Sequence, residues 1–305
     1  MNAEHFTFPG SGGQVLPAVI WMPECPKAVI QVTHGMTEHM GRYEIFSRAM
    51  CQAGIVVAGF DLRGHGANVG DPRVASFGSG GWDATLEDMR LFSEWLTNRF
   101  PGLPRFMLGF SLGSFLLREY IGKYPDDRIS GAVVMGTGQQ PGWLMSILRG
   151  VIQGQIRKVG FDQTSDLVRQ LSFGTYNQKF KPNRTDADWL CGEPASLDAY
   201  LADPLVRRDI SAGLFWELLG SMKRTGTKQA YDPWRKDLPI LLLSGQDDAV
   251  GDGGKGVQAV AQAMKKAGMQ DVAIRLFPGA RHDLLHETAG AEAIETITSW
   301  ISKYI

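Results

Sequence analysis

The chain has 305 residues, of which 44% are hydrophobic and 21% are charged. This balance is typical of a folded globular protein and excludes an intrinsically disordered chain. The 31 Lys and Arg residues against 32 Asp and Glu residues leave a net charge of −1, so the composition supplies no general positive field for nucleic acid or an anionic membrane.

Short apolar runs alternate with segments of helical periodicity on both sides of a long interruption. In the first part they predict strands at 4–8, 15–23, 27–35, 54–61, 105–111 and 131–138, and helices at 42–52, 80–100 and 114–124. In the last part they predict strands at 239–248 and 272–280 and helices at 256–268 and 288–303. The first two strands should pair antiparallel. The continuous Val, Ile and Leu runs indicate an α/β fold with a mostly parallel sheet and helices on both faces.

The alternation of strands and helices stops over residues 139–236, which carry helical patterns and no obvious buried strand. In this architecture such a segment is typical of a helical cap inserted over the carboxyl ends of the strands. The predicted organisation is therefore a core formed by residues 1–138 and 237–305, with a cap (lid) at 139–236.

The first cap helix carries a long apolar stripe. Its members are Trp143, Leu144, Ile147, Leu148, Val151 and Ile152. One interpretation is a helix packed against its own cap. The other is a lid that faces an oily substrate or makes transient contact with lipid.

The segment GFSLG at 109–113 is the most informative motif. Its serine follows an apolar strand and precedes a helical pattern, which is the context of a nucleophile elbow, where flanking glycines let strand and helix approach closely. Ser111 is therefore the predicted nucleophile, at a helix N-terminus that can receive negative charge.

A serine hydroxyl needs a general base at neutral pH, and an acid to orient that base. Of six histidines, His282 follows a predicted strand late in the chain and fits the base, whereas we expect His286 to lie in the final helix. Asp247 and Asp248 end the strand before it, and Asp283 is a third candidate. Composition alone does not separate the two adjacent aspartates. The order serine, acid, histidine is that of the α/β-hydrolase fold.

With these residues in view, the chain resembles α/β-hydrolases of the monoacylglycerol lipase and lysophospholipase group, often classed with serine aminopeptidase-type hydrolases. The matching segments are HGMTEHMGRY, FDLRGHGAN, GFSLGS, GQDDAVGDGGKGV and FPGARHDLLHE. The resemblance selects Asp248, three residues after Gly245, as the acid. It also implies an oxyanion hole formed by the backbone N–H groups of Met36 and Leu112. Phe110 and Asn68 depart from the usual histidine and serine of this group.

The expected function is that of a serine hydrolase cleaving carboxylic esters through an acyl-enzyme. The resemblance and the apolar cap favour a single-chain lipid, either a monoacylglycerol or a lysophospholipid. An aminopeptidase is the alternative within the fold, and it would need a carboxylate pair in the cap, for which Asp186, Asp188 and Glu193 are candidates. A third interpretation of the sequence is a catalytically inactive binding protein of the same fold.

The sequence gives weak signals for two other classes of protein, a nicotinamide-dependent oxidoreductase and a metal-dependent enzyme. We expect neither a cofactor nor a metal. GDGGKG at 251–256 matches a dinucleotide-binding pattern, but its glycines begin several residues after the strand and Asp271 precedes the next one. His34, His39 and His65, with Glu38 or Asp61, lie in two separate loops without the spacing of a metal site. The resemblance instead gives His34 and His65 roles in bracing loops.

Three features of the sequence predict that the protein is located in the cytoplasm. The N-terminus lacks a basic segment followed by an apolar stretch, so no signal peptide is predicted. The apolar runs are far shorter than the roughly 18 residues of a membrane span. The three cysteines form neither a disulfide framework nor a zinc-ligand pattern, which suits a reducing compartment.

Overall fold

The computed structural model describes residues 3–68, 74–207 and 209–305. Eight strands form one mixed sheet in the order β1-β2-β4-β3-β6-β7-β9-β10. Their bounds are β1 Ala3–Pro9, β2 Val15–Trp21, β3 Ala28–Thr33, β4 Ile55–Phe60, β6 Arg105–Phe110, β7 Gly131–Met135, β9 Ile240–Gly245 and β10 Val272–Phe277. The predicted antiparallel pairing of the first two strands is confirmed, and every pairing from β4 through β10 is parallel.

Several strands end earlier than the apolar runs indicated. β3 stops at Thr33, β7 at Met135 and β9 at Gly245. The residues beyond these ends form loops at the carboxyl edge of the sheet, where backbone groups leave the ladder and side chains can converge. This edge carries every candidate site residue discussed below.

Helices cover both faces of the sheet, as predicted for a buried parallel sheet. Their bounds in the core are α1 Glu44–Gln52, α2 Gly81–Arg99, α3 Leu112–Lys123, α8 Lys255–Lys266 and α9 Gly290–Ile301. One apolar cluster joins α1 and α9 to one face, and a second joins α2, α3 and α8 to the other. Alternate side chains of the inner strands β3, β4, β6, β7 and β9 enter the two clusters, which is why these strands are largely apolar. The arrangement is that of the α/β-hydrolase fold.

The expectation for His286 was wrong. The final helix begins at Gly290, and His286 lies before it in a short 3-10 helix, Leu284–His286. Its ring Nδ1 lies 2.8 Å from Asp283 Oδ1 and its Nε2 lies 3.1 Å from the Arg42 carbonyl oxygen. The contact with Asp283 is local, but the contact with Arg42 spans 244 positions and holds His286 against the core. Helical periodicity along the sequence carries no signal for such a long-range contact.

The inserted segment, residues 139–236, is mostly helical. It forms α4 Gly142–Val159, α5 Asp166–Arg169, α6 Pro194–Ala202 and α7 Ala212–Thr225. One feature was not expected: a two-residue strand, β8 Asp209–Ile210, pairs in parallel with β5 Val74–Ala75 of the core. It is too short to show as an apolar run, and it exists only because the two parts of the chain meet.

The two ends of the inserted segment are tied to the core by one buried cation. Arg118 of α3 is 2% exposed and donates to the carbonyl oxygen of Gly138, where the segment leaves the core, at 3.2 Å. It also donates to the carbonyl oxygen of Thr225, at the end of α7, at 2.8 Å. Both of its terminal amino groups are hydrogen-bonded, and a buried cation that loses such bonds is left without partners, so this link is costly to disturb.

The apolar stripe of α4 divides into two. Leu144, Leu148 and Ile152 pack inward against the apolar cluster that includes α7. On the other side, Trp143, Ile147 and Val151 are 67%, 57% and 41% exposed. One half of the stripe therefore packs inward, as the first interpretation expects, and the other half faces outward.

Within the described ranges, none of the helices combines the length and the hydropathy required to cross a lipid bilayer.

Candidate active site

Ser111 lies at the turn between β6 and α3, in a backbone conformation that L-residues rarely adopt. Its φ of 50° and ψ of −116° project the hydroxyl above the sheet edge. The turn is possible because of its two glycines: a Cβ on Gly109 would lie 2.3 Å from the Gly113 carbonyl oxygen, and one on Gly113 would lie 2.0 Å from that of Thr33. The strand, the turn and the helix therefore fit together only with glycine at both positions.

His282 reaches Ser111 from the loop after β10. Its Nε2 lies 2.8 Å from Ser111 Oγ, and its Nδ1 lies 2.9 Å from Asp248 Oδ1. Since an ionised carboxylate only accepts hydrogen bonds, Nδ1 carries the proton and Nε2 accepts from the serine hydroxyl. The three side chains, separated by up to 171 positions in the sequence, thus form one continuous chain of hydrogen bonds.

The structure distinguishes the two adjacent aspartates. Asp248 is fully buried and also accepts from Val250 N–H at 2.8 Å and Ser244 Oγ at 3.1 Å. Burial alone would raise the pKa of Asp248, but the attraction of His282 and these hydrogen bonds keep it below its usual value. Asp247 points outward, with its side chain 47% exposed and paired with Lys179. Only Asp248 contacts His282.

Two aromatic rings flank the imidazole. The ring centroids of Phe110 and Trp189 lie 5.0 Å and 5.3 Å from that of His282. Phe110, the residue in which this sequence departs from the group that it resembles, therefore packs directly on His282. Trp189 comes from the inserted segment, so the segment contributes one wall of the site.

The loop after β3 holds the Met36 amide in a fixed orientation. The Leu62 N–H donates to His34 Nε2 at 2.9 Å, so His34 Nδ1 carries the proton and donates to the Gly35 carbonyl oxygen at 2.7 Å. Burial lowers the pKa of His34 to about 3, which keeps this neutral form. Because a trans peptide is planar, fixing the Gly35 carbonyl directs the Met36 N–H to the opposite side. Leu112 begins α3, where an amide has no acceptor within its own helix.

The inserted segment also holds this loop. Thr37, which follows Met36, has a φ of 69°. Its Oγ1 lies 2.9 Å from the Tyr200 hydroxyl, and its carbonyl oxygen accepts from Arg207 N–H at 2.9 Å. Contacts with residues 200–207 thus stabilise an otherwise unfavourable backbone conformation next to Met36.

The residues weighed for a metal site have other partners. His39 Nε2 lies 2.8 Å from Asp203 Oδ2, and His65 Nδ1 lies 2.8 Å from the Arg63 carbonyl oxygen. Asp61 accepts from the amides of Met40 and Ala67. These side chains brace the loops around the site, and no cluster of three or more suitable ligands occurs in the ranges that the structure describes.

The remaining motifs also have structural roles. In the GDGGKG segment, Gly253 and Gly254 have φ values of 61° and 87° and turn the chain from Asp248 into α8. Of the carboxylates weighed for an amino-group site, Asp186 is exposed, and Asp188 accepts from the amides of Arg184 and Thr185. Glu193, the third candidate, is half-buried at the start of α6.

In the motif HGMTEHMGRY, Glu38 was considered only as a metal ligand and no role was predicted for Arg42. In the structure Glu38, Arg42 and Asp283 form a buried ion cluster beside the site. The spacing of Glu38 and Arg42 is a signal for a local pair, but their link to Asp283 spans 241 positions. Trp189 was missed for the same reason.

Comparisons with known proteins agree with this geometry. Residues 24–289 match the model of a family described as serine aminopeptidase, S33. The chain is 26% identical to a monoacylglycerol lipase of Mycolicibacterium smegmatis over 308 residues, covering 100% of this chain and 98% of the relative. It is 27% identical to the human monoglyceride lipase over 296 residues, covering 95% of this chain and 88% of the relative.

A solved structure shows the same likeness in three dimensions. The crystal structure of a thermostable carboxyl esterase from Bacillus coagulans in complex with glycerol superposes with a TM-score of 0.88 at 25% identity. The match covers 100% of this chain and 99% of that one. The fold predicted from the strand and helix pattern is thereby confirmed.

Proposed function

Because the chain belongs to the serine aminopeptidase S33 family, we propose that it is a serine hydrolase that cleaves carboxylic esters through an acyl-enzyme. The observation that carries this proposal is the continuous chain of hydrogen bonds from Ser111 through His282 to Asp248. The strained serine, the imidazole beside it and the buried carboxylate behind it are the parts that such a reaction needs.

In the proposed reaction, Ser111 Oγ attacks the acyl carbonyl carbon while His282 Nε2 takes up its proton. The carbonyl oxygen becomes an oxyanion that accepts hydrogen bonds from the N–H groups of Met36 and Leu112. The tetrahedral intermediate collapses, the carbon–oxygen bond to the alcohol breaks, and the imidazolium protonates the departing alcohol. Water then attacks the acyl-enzyme with His282 as base, releasing the carboxylic acid and restoring Ser111. Asp248 stabilises the imidazolium throughout.

The proposed substrate is a single-chain glycerolipid ester, of which a monoacylglycerol is the first candidate. Two kinds of observation support this choice. The relatives named above are called monoacylglycerol and monoglyceride lipases. The inserted segment places Trp189 against the imidazole, and Phe173 and Tyr176 pack on Trp189. Apolar walls of this kind suit an acyl chain. The net charge of −1 does not select a phosphorylated head group.

We further propose that residues 139–236 act as a cap, and that its outward face makes transient contact with lipid. Trp143, Ile147 and Val151 are spaced four residues apart on α4 and are largely exposed. Arg157 and Lys158 follow in the last turn of the same helix. An apolar stripe with basic residues at its end is the pattern of a helix that lies on a bilayer surface.

The three cysteines are unpaired, with Cys51 and Cys191 buried and Cys25 exposed. Unpaired thiols support action in a reducing compartment, and we propose the cytoplasm.

The decisive experiment labels the protein with a fluorophosphonate probe, which reacts with an activated serine. The wild type should be labelled, and Ser111→Ala should not. Ser146→Ala, which changes an exposed serine of α4, is the matched control and should be labelled like the wild type. Equal labelling of Ser111→Ala would overturn the nucleophile assignment. A wild type that is neither labelled nor active would favour the inactive binding protein.

Substrate class is tested with a chain-length series of aryl esters run beside aminoacyl anilides. We expect turnover of the esters and a preference among chain lengths, since an apolar wall gains contacts with each added methylene. Faster turnover of the anilides would instead favour an aminopeptidase.

A further inference from the structure

Arg42 bridges the two loops that carry the proposed oxyanion donor and the proposed base. It lies in a 3-10 helix, Met40–Tyr43, and its side chain is 8% exposed. Its Nε donates to Glu38 Oε2 at 3.0 Å, and its Nη2 donates to Asp283 Oδ2. The rigid guanidinium fork therefore spans two carboxylates, each with a side chain that is 4% exposed.

The Glu38 carboxylate connects Arg42 to the loop that carries the Met36 amide. Its Oε1 accepts from the Gly35 N–H at 2.6 Å and from the Tyr43 hydroxyl at 2.9 Å. Gly35 precedes Met36, whose amide is the proposed donor. A Cβ on Gly35 would lie 2.9 Å from both Glu38 Oε1 and the Phe110 ring, so the loop has little space to shift while Glu38 stays in place.

The Asp283 carboxylate connects Arg42 to the loop that carries His282, the proposed base. It follows His282 directly, and its Oδ1 lies 2.8 Å from His286 Nδ1. Burial would raise the pKa of Asp283, but the charges of His286 and Arg42 hold it well below its usual range. The Asp283 N–H also donates to the Leu190 carbonyl oxygen at 2.7 Å, which anchors this loop on the inserted segment.

We infer that Arg42 is a positioning residue for the reaction: through Glu38 and Asp283 it holds the Met36 amide and the His282 imidazole at a fixed separation. This inference rests on the proposed function, since it assigns both loops their catalytic roles. Tyr200 of α6 covers the guanidinium, with Arg42 Cζ 4.7 Å from its ring centroid. The bridge thus lies inside the closed protein, where salt does not screen it.

A contribution to stability alone does not explain why Glu38, Arg42 and Asp283 form a buried ion cluster here. Buried ion groups lose their hydration, and well-packed apolar replacements are often as stable. Geometry gives a better reason, because a displacement of about 1 Å at a reacting group can reduce turnover about 100-fold. Among the residues that the structure describes, Arg42 is the one side chain that is hydrogen-bonded to both carboxylates.

The test measures kcat and KM for an aryl ester, per active site, well below the unfolding temperature. Arg42→Met removes the bridge, and we expect kcat to fall about 100-fold while KM changes little. Arg42→Lys keeps the charge but cannot span both carboxylates, so it should recover only about a tenth of the lost turnover. Arg48→Met is the matched control: Arg48 is an exposed arginine of α1 paired with Glu44, and kcat should stay at the wild-type value.

Asp283→Asn removes the negative charge and one of the two acceptor oxygens at the other end of the bridge, and it should lower kcat in the same way. The double variant with Arg42→Met should be no worse than either single variant, because both remove one connection. A folded Arg42→Met protein with wild-type kcat and KM would overturn the inference. If that variant does not fold, Asp283→Asn decides, and wild-type kcat there is the contrary result. Turnover that survives Ser111→Ala would contradict the proposed function itself, whatever Arg42 does.

Discussion

Asp248 Oδ1 lies 2.9 Å from His282 Nδ1, while the adjacent carboxylate of Asp247 faces solvent and pairs with Lys179. We therefore expect the two aspartates to differ sharply on substitution. Asp248→Asn should lower kcat about 10⁴-fold, because an amide cannot hold the imidazole in the tautomer that the reaction needs. Asp247→Asn is the matched control and should change kcat less than about twofold. Steady-state kinetics on an aryl ester measure both, and equal losses would contradict the assignment.

The glycine at 113 should be irreplaceable. A Cβ there would lie 2.0 Å from the Thr33 carbonyl oxygen and 2.7 Å from that of His34. Gly113→Ala must push α3 away from β3, so we expect the free energy of unfolding to fall by about 1–3 kcal/mol and turnover to fall with it. Gly150→Ala places the same methyl group on α4, where nothing lies within 4 Å. That variant should gain stability, by up to about 1 kcal/mol. Denaturant unfolding compares them, and similar values for both would contradict the steric argument.

His65 should make the protein less stable in acid. Burial lowers the pKa of His65 to about 3, whereas in the unfolded chain it lies near 6.5. Between these values the unfolded state binds a proton that the folded state does not, so the free energy of unfolding falls as the pH decreases. His65→Gln removes this contribution, and we expect the slope against pH to decrease by about 1.4 kcal/mol per pH unit between about pH 4 and pH 6.

Denaturant unfolding across that pH range measures the slope. Phe77→Leu is the control, since the Phe77 ring packs 5.5 Å from the His65 ring and has no titrating group. It should lower stability without changing the slope. An unchanged slope in His65→Gln would mean that this histidine is not the buried neutral group described above.

The outward face of α4 should govern contact with lipid. Ile147 is 57% exposed on that face, and burying an isoleucine in an apolar phase contributes about 1.5–3 kcal/mol. Ile147→Glu should therefore weaken binding to phospholipid vesicles about 10-fold or more, measured by co-sedimentation. Ser146→Glu adds the same charge at the neighbouring exposed position and should weaken binding less. Hydrolysis of a short water-soluble ester should be unaffected in both. Equal binding of the two variants would contradict a role for this face.

Much of the site could be predicted from the sequence because its parts are local. The elbow around Ser111 is defined by glycines within two positions of it, and these respond to backbone crowding inside one turn. His282, the proposed base, was selected by its place after a predicted strand. The alternation of buried strands and helices likewise predicted the sheet, since a parallel sheet buried on both faces requires apolar residues throughout its strands.

Only the tertiary structure decided how these parts meet. The family resemblance had already selected Asp248, but the physical reason lies in the fold. Only there is it visible which carboxylate points inward at the end of β9, since adjacent residues with the same chemistry carry no signal for that. The division of α4 into an inner and an outer half depends on where α7 packs. The bridge from Arg42 to Asp283 joins residues 241 positions apart. Such contacts are set by the approach of folded elements to one another, whereas composition, periodicity and motif spacing describe only what each element is by itself.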